Sequence, residues 1–331
     1  MIGSESGAAS VPARKLSEAS PPQDVRQGFR GLVGTGSSIE SVTASSLVRR
    51  IGAREFDFSR RVAVMAIVNR TPDSFHDKGA TFALDRAVEA SLAAVADGAD
   101  WVDVGGVPFG RGPVVELAEE LERIVPVVEA IRAASDVVIS IDTFNARVAE
   151  AALAAGADVV NDTSGLWDPD MAGVVAAAGG TIVLTHSLTP PRTPHPSPQY
   201  DDVVNTVVAH LGERIERALA AGVPFEKLIV DPGHDLNKNT LHSLELTRRL
   251  GELAALGAPV LVALSNKDFI GETLDRPQYE RLEGSLAAAV VSIMNGARIV
   301  RVHDVKATVA AVRMTEAILG WREPAWLKHN M

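Results

Sequence analysis

At the ends of eight short apolar stretches this chain carries side chains that can hydrogen-bond or hold charge. They are Asn69, Asp103, Asp142, Asn161 with Asp162, His186, Asp231, Ser265 with Lys267, and Arg301 with His303 and Asp304. Carboxylates accept hydrogen bonds from amino and ring N–H groups and stabilise developing positive charge. A guanidinium offers a planar fork to phosphate oxygens. Brought together, such groups suit a polar heterocycle that bears an anionic group. Taken one at a time, several have a plainer reading: Asp142 before Thr143 and Asp304 before Val305 could cap helices, and His303 could be a satisfied structural histidine. Capping explains neither Lys267 nor the Arg301 and His303 pair inside an apolar strand end. His76, His186, His195, His234 and His242 do not form a metal-spaced set such as HExxH, which argues against zinc.

The elements that must position these groups follow from hydrophobic period. Strand-like runs at 62–68, 101–104, 137–141, 158–160, 181–184, 228–230, 259–264 and 298–302 alternate with Ala-rich segments. The latter, such as 84–96, 203–221 and 283–295, carry apolar residues at spacings of three and four, the helical period. Eight strand and helix repeats predict an α/β protein built as a closed (β/α)8 TIM barrel, whose active site lies at the carboxyl ends of the strands. A doubly wound open sheet has the same local alternation; the count and the lack of GxGxxG after the first strand weigh against it.

Residues 1–39, rich in Ser, Gly, Pro and charge, read as a disordered extension without the apolar core of a signal peptide. Residues 40–60 form a transition segment whose Val42, Leu47, Val48 and Ile51 could pack on the barrel's outside or its closed end, and 61–331 form the barrel. Among the 331 residues 22% are charged, and the apolar runs are broken well before the ~18 residues of a membrane span. A formal net charge of -10 argues against binding nucleic acid. The absence of cysteine rules out a disulfide frame and a thiolate metal site and fits a cytoplasmic location.

In order along the chain, these strand ends carry a specific pattern. Residues 69–75 read NRTPDSF, 103–106 DVGG, 141–143 IDT, 161–162 ND, 231–233 DPG, 265–269 SNKDF and 301–304 RVHD. Across residues 61–320 this resembles dihydropteroate synthase, with its NxTPDSF, DxGG and IDT motifs. The Ala-rich composition and the departures described next are similar to a second, divergent paralogue of the kind found in actinobacteria such as mycobacteria. The resemblance implies a pterin-binding barrel in which the diphosphate of 6-hydroxymethyl-7,8-dihydropterin leaves with magnesium assistance as the amine of p-aminobenzoate attacks. By motif position, Asp142, Asn161, Asp231, Lys267 and Arg301 would hold the pterin. Asn69, Arg301 and His303 would hold the diphosphate, with Asn69 also a ligand of Mg2+. The resemblance further implies a homodimer built on the outer helices, for which Leu286, Val290, Ile293 and Val309 are candidates unless the core claims them.

The departures gather on loops. Where the family continues DxGGESTRPG, this chain has Val107, Pro108, Phe109, Gly110, Arg111 and Gly112, losing the hydroxyl pair and the following Arg-Pro. The DPGxGFGK loop reads DPGHDLNK, so Asp235, Leu236 and Asn237 replace Gly-Phe-Gly. SRKSF becomes Ser265, Asn266, Lys267, Asp268 and Phe269, and the Met-His pair becomes Thr185 and His186. Arg70 and His76 are unusual in the first loop. By the resemblance these would be the loops that receive the second substrate, so the expectation is a dihydropteroate synthase homologue with absent or very weak synthase activity, no catalytic residue being assigned, and loose binding of pterin or sulfa-type ligands. The alternatives are an active synthase, one with altered aryl-amine preference using Phe109, Arg111 and Asp268, a pterin-dependent methyltransferase, and a non-catalytic partner-binding barrel.

Overall fold

The computed structural model describes residues 47–69, 79–107, 115–193 and 197–329; of Asn69 and residues 79–83 it describes the backbone only. The expectations for the 1–39 extension, for residues 40–46, and for Arg70, His76, Phe109, Arg111 and His195 lie outside the described residues.

A closed barrel of eight parallel strands forms the molecule's centre, each strand pairing with the next along the chain and the last with the first. The strands are β3 (Ala63–Asn69), β4 (Trp101–Gly105), β5 (Val138–Asp142), β6 (Val159–Asp162), β7 (Thr181–Thr185), β8 (Leu228–Asp231), β9 (Val260–Val262) and β10 (Ala297–Val302). Between them run α1 (Gly79–Ala96), α2 (Leu117–Ala134), α3 (Ala146–Ala154), α4 (Met171–Ala178), α5 (Val203–Ala220), α6 (Thr240–Arg248), α7 (Leu250–Ala254), α8 (Asp268–Leu274) and α9 (Leu282–Met294), with α10 (Val305–Ile318) last. The (β/α)8 expectation is met. None of the described helices is long and apolar enough to cross a membrane.

Ahead of the barrel, β1 (Val48–Ile51) and β2 (Arg54–Asp57) make an antiparallel hairpin. Its Ile51 and Phe56, with Phe58 just beyond, meet the inward residues at the strands' amino ends, among them Met65, Trp101 and Ile299. Phe56 stacks on Phe58 and meets Trp101 edge-on, each at 5.6 Å between centroids. Burying each phenylalanine contributes about 1.5–3 kcal/mol, so the hairpin is a fixed plug at the closed end. The acids here are structural. Asp100 accepts from Arg61, Arg313 and the Val64 amide, and Asp158 from Arg132 and the Ile139 amide, pinning strand starts to neighbouring elements.

Because strand side chains alternate, parity decides what faces the lumen. Val64, Val102, Val104, Ile139, Ile141, Val160 and Val230 pack outward against the helices. Asp103, Asp142, Asn161, Asp231 and Arg301 take the opposite parity. Two readings are corrected by this. Asp142 belongs to β5 and is no cap: α3 begins later, with Asn145 accepting from the Arg147 amide. In the Asn161 and Asp162 pair only Asn161 faces inward. Asp162 is fully buried on the helix side, where it receives the Ser164 hydroxyl and the amides of Ser164 and Leu166, shaping the turn after β6. Asp304 precedes α10 but makes no side-chain capping bond. Ile293 is core and Val309 packs against it, while Val291, Met294, Met314 and Ile318 are the apolar residues left exposed on α9 and α10.

Candidate functional site

Above the apolar layers, at the carboxyl ends of the strands, lies a cavity of about 380 Å³. It is lined by Asp142, Asn161, Asp231, Lys267, Arg301 and His303, so six residues singled out in the sequence come together in one place. The backbone of Asn69 is in register with Gly105, which pairs in turn with Asp142, and so ends its strand at the same level.

Arg301 organises the interior. Its Nε donates to Asp103 Oδ2 at 2.6 Å and its Nη2 to Asp142 Oδ2 at 2.8 Å. Asn161 Nδ2 donates to the same Asp103 oxygen at 3.1 Å. Asp103, wholly buried, is thus the anchor that aims both Arg301 and Asn161. Its Oδ1, like Asn161 Oδ1, has no hydrogen-bond partner, so acceptor capacity is left over. Unmet buried acceptors cost about 1–3 kcal/mol each, a cost that a ligand N–H reaching Asn161, which lines the cavity, would relieve.

Burial shifts the charges. The Asp142 carboxyl is pushed up to about 7 by burial, with Arg301 opposing and Asp103 adding to the rise. Burial also raises Asp231, against the Gly233 amide that donates to its Oδ1 at 2.7 Å, and lowers Lys267 and His303. Although burial works against it, Arg301 is held above its ordinary value by Asp103 and Asp142. His303 takes its backbone N and Nδ1 to Ser265 Oγ at 3.2 and 3.1 Å, which fixes the ring at the rim.

The loop after β8 holds residues that sequence reasoning quoted without giving them a role. Buried Lys238 curls back so that its Nζ donates to the carbonyls of Gly233 and Leu236 at 2.9 and 2.8 Å and lies 2.9 Å from His186 Nδ1. Burial brings this lysine down to about 7 and His186 to about 2. No local pattern announces such a clasp. Gly233, at φ +66°, is required here: an added Cβ would fall 2.5 Å from the His186 carbonyl oxygen.

Asp235 and Asn237 also have positive φ, +63° and +53°. Aspartate and asparagine tolerate this conformation better than most residues, so the loop keeps a path that suits glycine while gaining two polar side chains. Asp235 accepts from Ser243 Oγ at 3.0 Å and from the Asp268 amide at 2.7 Å. Asn237 Oδ1 accepts from the Leu188 amide at 2.8 Å and its Nδ2 donates to Thr189 Oγ1 at 3.2 Å. The three loops after β7, β8 and β9 are therefore bonded to one another.

His234, facing Thr247 Oγ1 at 3.1 Å, is lowered by burial to about 3. Unfolded, it takes up a proton below about 6.5. The stability it contributes is thus present above that pH and lost as the pH falls towards 3. His234→Leu should flatten the acid limb of urea-unfolding stability between pH 6 and 4 by about 1.4 kcal/mol per pH unit. An unchanged limb would mean that this histidine is already charged in the folded state.

A barrel whose open end gathers buried carboxylates, an amide and a guanidinium around a small cavity is built to hold a polar heterocycle. The chain belongs to the family of pterin binding enzymes, whose sequence profile matches residues 65–303. Within it, this is a dihydropteroate synthase homologue. It is 49% identical over 270 residues to the inactive dihydropteroate synthase 2 of Mycobacterium tuberculosis, covering 80% of this chain and 85% of that protein. It is 42% identical over 261 residues to the dihydropteroate synthase of Escherichia coli K12, covering 78% and 93%. The Xanthomonas albilineans dihydropteroate synthase, solved with 4-aminobenzoic acid, superposes with a TM-score of 0.76 at 38% identity, covering 82% of this chain and 98% of that one.

Proposed function

We propose that this protein binds a pterin diphosphate at the carboxyl end of its barrel and turns it over with p-aminobenzoate very weakly or not at all. One observation carries the reading: the strands and the loops have parted ways. Asp103, Asp142, Asn161 and Arg301 stand on the barrel wall as a hydrogen-bonded acceptor and cation set, with Asp231 lining the same cavity. The loop that would line the amine side has exchanged two small residues for Asp235 and Asn237, whose side chains bind it to its neighbours. Synthesis needs loops that close and exclude water around a reactive cation, and a misplacement of about 1 Å can cost on the order of a hundredfold in rate. The mycobacterial relative's name points the same way.

Asp142 and Asp231 would accept from the pterin's amino and ring N–H groups, with Asn161 and Lys267 completing the ring of partners. His303 and the Arg301 donors not spent on Asp103 and Asp142 would meet the diphosphate. By motif position, a magnesium ion carried in by the diphosphate would take most of its ligands from the phosphates and water and one oxygen from Asn69. Bound there, the ion would neutralise charge on the diphosphate. A steady-state assay of pyrophosphate release with p-aminobenzoate should give a rate at least a hundredfold below that of the E. coli enzyme, and the gene should fail to rescue a folate-synthesis mutant. Robust turnover or rescue would overturn this reading.

A homodimer through the exposed Val291, Met294, Met314 and Ile318 is part of the same proposal. Ile318→Lys should then sediment as a monomer where the wild type is dimeric; a monomeric wild type contradicts it.

A further inference from the structure

The outer half of the cavity carries a charge pattern that bears on what can sit beside the pterin. Among the described residues the cavity as a whole is lined by four acids, Asp142 and Asp231 inside and Asp235 and Asp268 at the rim, and by two cations, Lys267 and Arg301. Arg301 is committed to Asp103 and Asp142 deep inside. Burial lowers His234 and His303, and it raises Asp142 and Asp231. Lys267 faces Asp231, Asp235 and Asp268 together.

At the rim, Asp235 and Asp268 are adjacent in space, since the Asp268 amide donates to Asp235 Oδ2. Both oxygens of Asp235 are engaged, one by Ser243 and one by the Asp268 amide, so Asp235 is held facing the start of α8. The Asp268 side chain is 84% exposed. Nearby Arg281 pairs with Asp268 at 3.0 Å and also donates to the carbonyls of Asn266, Lys267 and Arg276, so it braces the loop and offsets part of the Asp268 charge, leaving Asp235 the larger share of the effect. A second ligand that points its amine inward and its far end toward this rim would meet Asp235, which is fixed, and Asp268, which is exposed and paired with Arg281.

We propose that Asp235 and Asp268 determine specificity at this end of the cavity, so that the amine accommodated beside the pterin is neutral or cationic at its far end and not a carboxylate. The proposal rests on the pterin reading above for the placement of that amine. Like charges set side by side disfavour the wrong partner, and at a partly hydrated rim the effect amounts to up to about tenfold per acid.

Three amines of the same shape separate the charges: 4-aminobenzoate, 4-aminobenzamide and 4-aminobenzamidine. Each is titrated calorimetrically into the full chain, alone and in the presence of 6-hydroxymethylpterin, inorganic pyrophosphate and magnesium. The wild type should bind the amidine and the amide at least tenfold more tightly than the benzoate, and Asp268→Asn and Asp235→Asn should each narrow that ratio severalfold. Since Asp268 is a surface residue, its variant keeps the test alive should Asp235→Asn disturb the loop. Equal or tighter binding of the benzoate by the wild type, an unchanged ratio in both variants, or no binding of any of the three overturns the proposal. Failure of the pterin to bind while the amines keep their order would count against the pterin reading alone.

Discussion

Arg301→Met should lower stability by about 3–5 kcal/mol, the usual cost of leaving buried carboxylates without their cation. Asp103 is wholly inside the barrel and spends one oxygen on both Arg301 and Asn161. Remove the guanidinium and Asp103 faces Asp142 with nothing positive between them. Protonation is then the only relief, so the loss should be smaller at pH 5.5 than at pH 8. Urea unfolding at the two pH values measures both quantities. Adding Asp103→Asn to Arg301→Met should recover part of the loss, and the double-mutant cycle gives the coupling. A loss below about 1 kcal/mol at pH 8 would show that water, not Arg301, compensates these acids.

Asp142→Asn is the second large effect, this time on binding. A hydrogen bond to a charged group contributes about 1.5–3 kcal/mol, so affinity for 6-hydroxymethyl-7,8-dihydropterin should fall tenfold to a hundredfold or somewhat more. The pH dependence gives a sharper signature. With its carboxyl at about 7, Asp142 is protonated in the free protein below that pH and must lose the proton to accept from the pterin. Affinity of the wild type should rise with pH up to about 7 and level off above it. The variant, having no proton to lose, should lack this step. Calorimetry between pH 5.5 and 8.5 measures it, and an identical profile in both proteins would remove Asp142 from the pterin site.

Much of this arrangement was legible before any coordinates. A period of two separated by a period of three and four marks strands and helices, and eight repeats leave little besides a barrel. The polar groups could be placed at the carboxyl ends because apolar runs end in them. Parity is harder to read. Asn161 and Asp162 are adjacent and both polar, and only the pleat of β6 decides that one enters the lumen while the other builds a turn among the helices. The capping reading of Asp142 failed because Asn145, three residues further on, does that work.

Long-range partnerships were out of reach. Asp103 was visible as a strand end, yet its role as anchor depends on Arg301, which lies 198 residues away and meets it through barrel closure. Lys238 looked like the last letter of a loop motif, but it folds back on its own carbonyls and on His186. Asp235 and Asn237 showed as departures from a glycine pattern. That they keep a positive φ, and use the added atoms to bond neighbouring loops, follows only from the fold.

The central claim, a pterin site kept on the strands and a second-substrate side rebuilt on the loops, is tested most directly by a single turnover. The protein, in excess and with magnesium, is mixed with 6-hydroxymethyl-7,8-dihydropterin diphosphate and then with p-aminobenzoate, and the mixture is quenched over time. The expected result is that the pterin diphosphate is held by the wild type, less so by Asp142→Asn, and is recovered unchanged. Dihydropteroate formed in the first turnover, or a pterin diphosphate that never binds, would contradict the account.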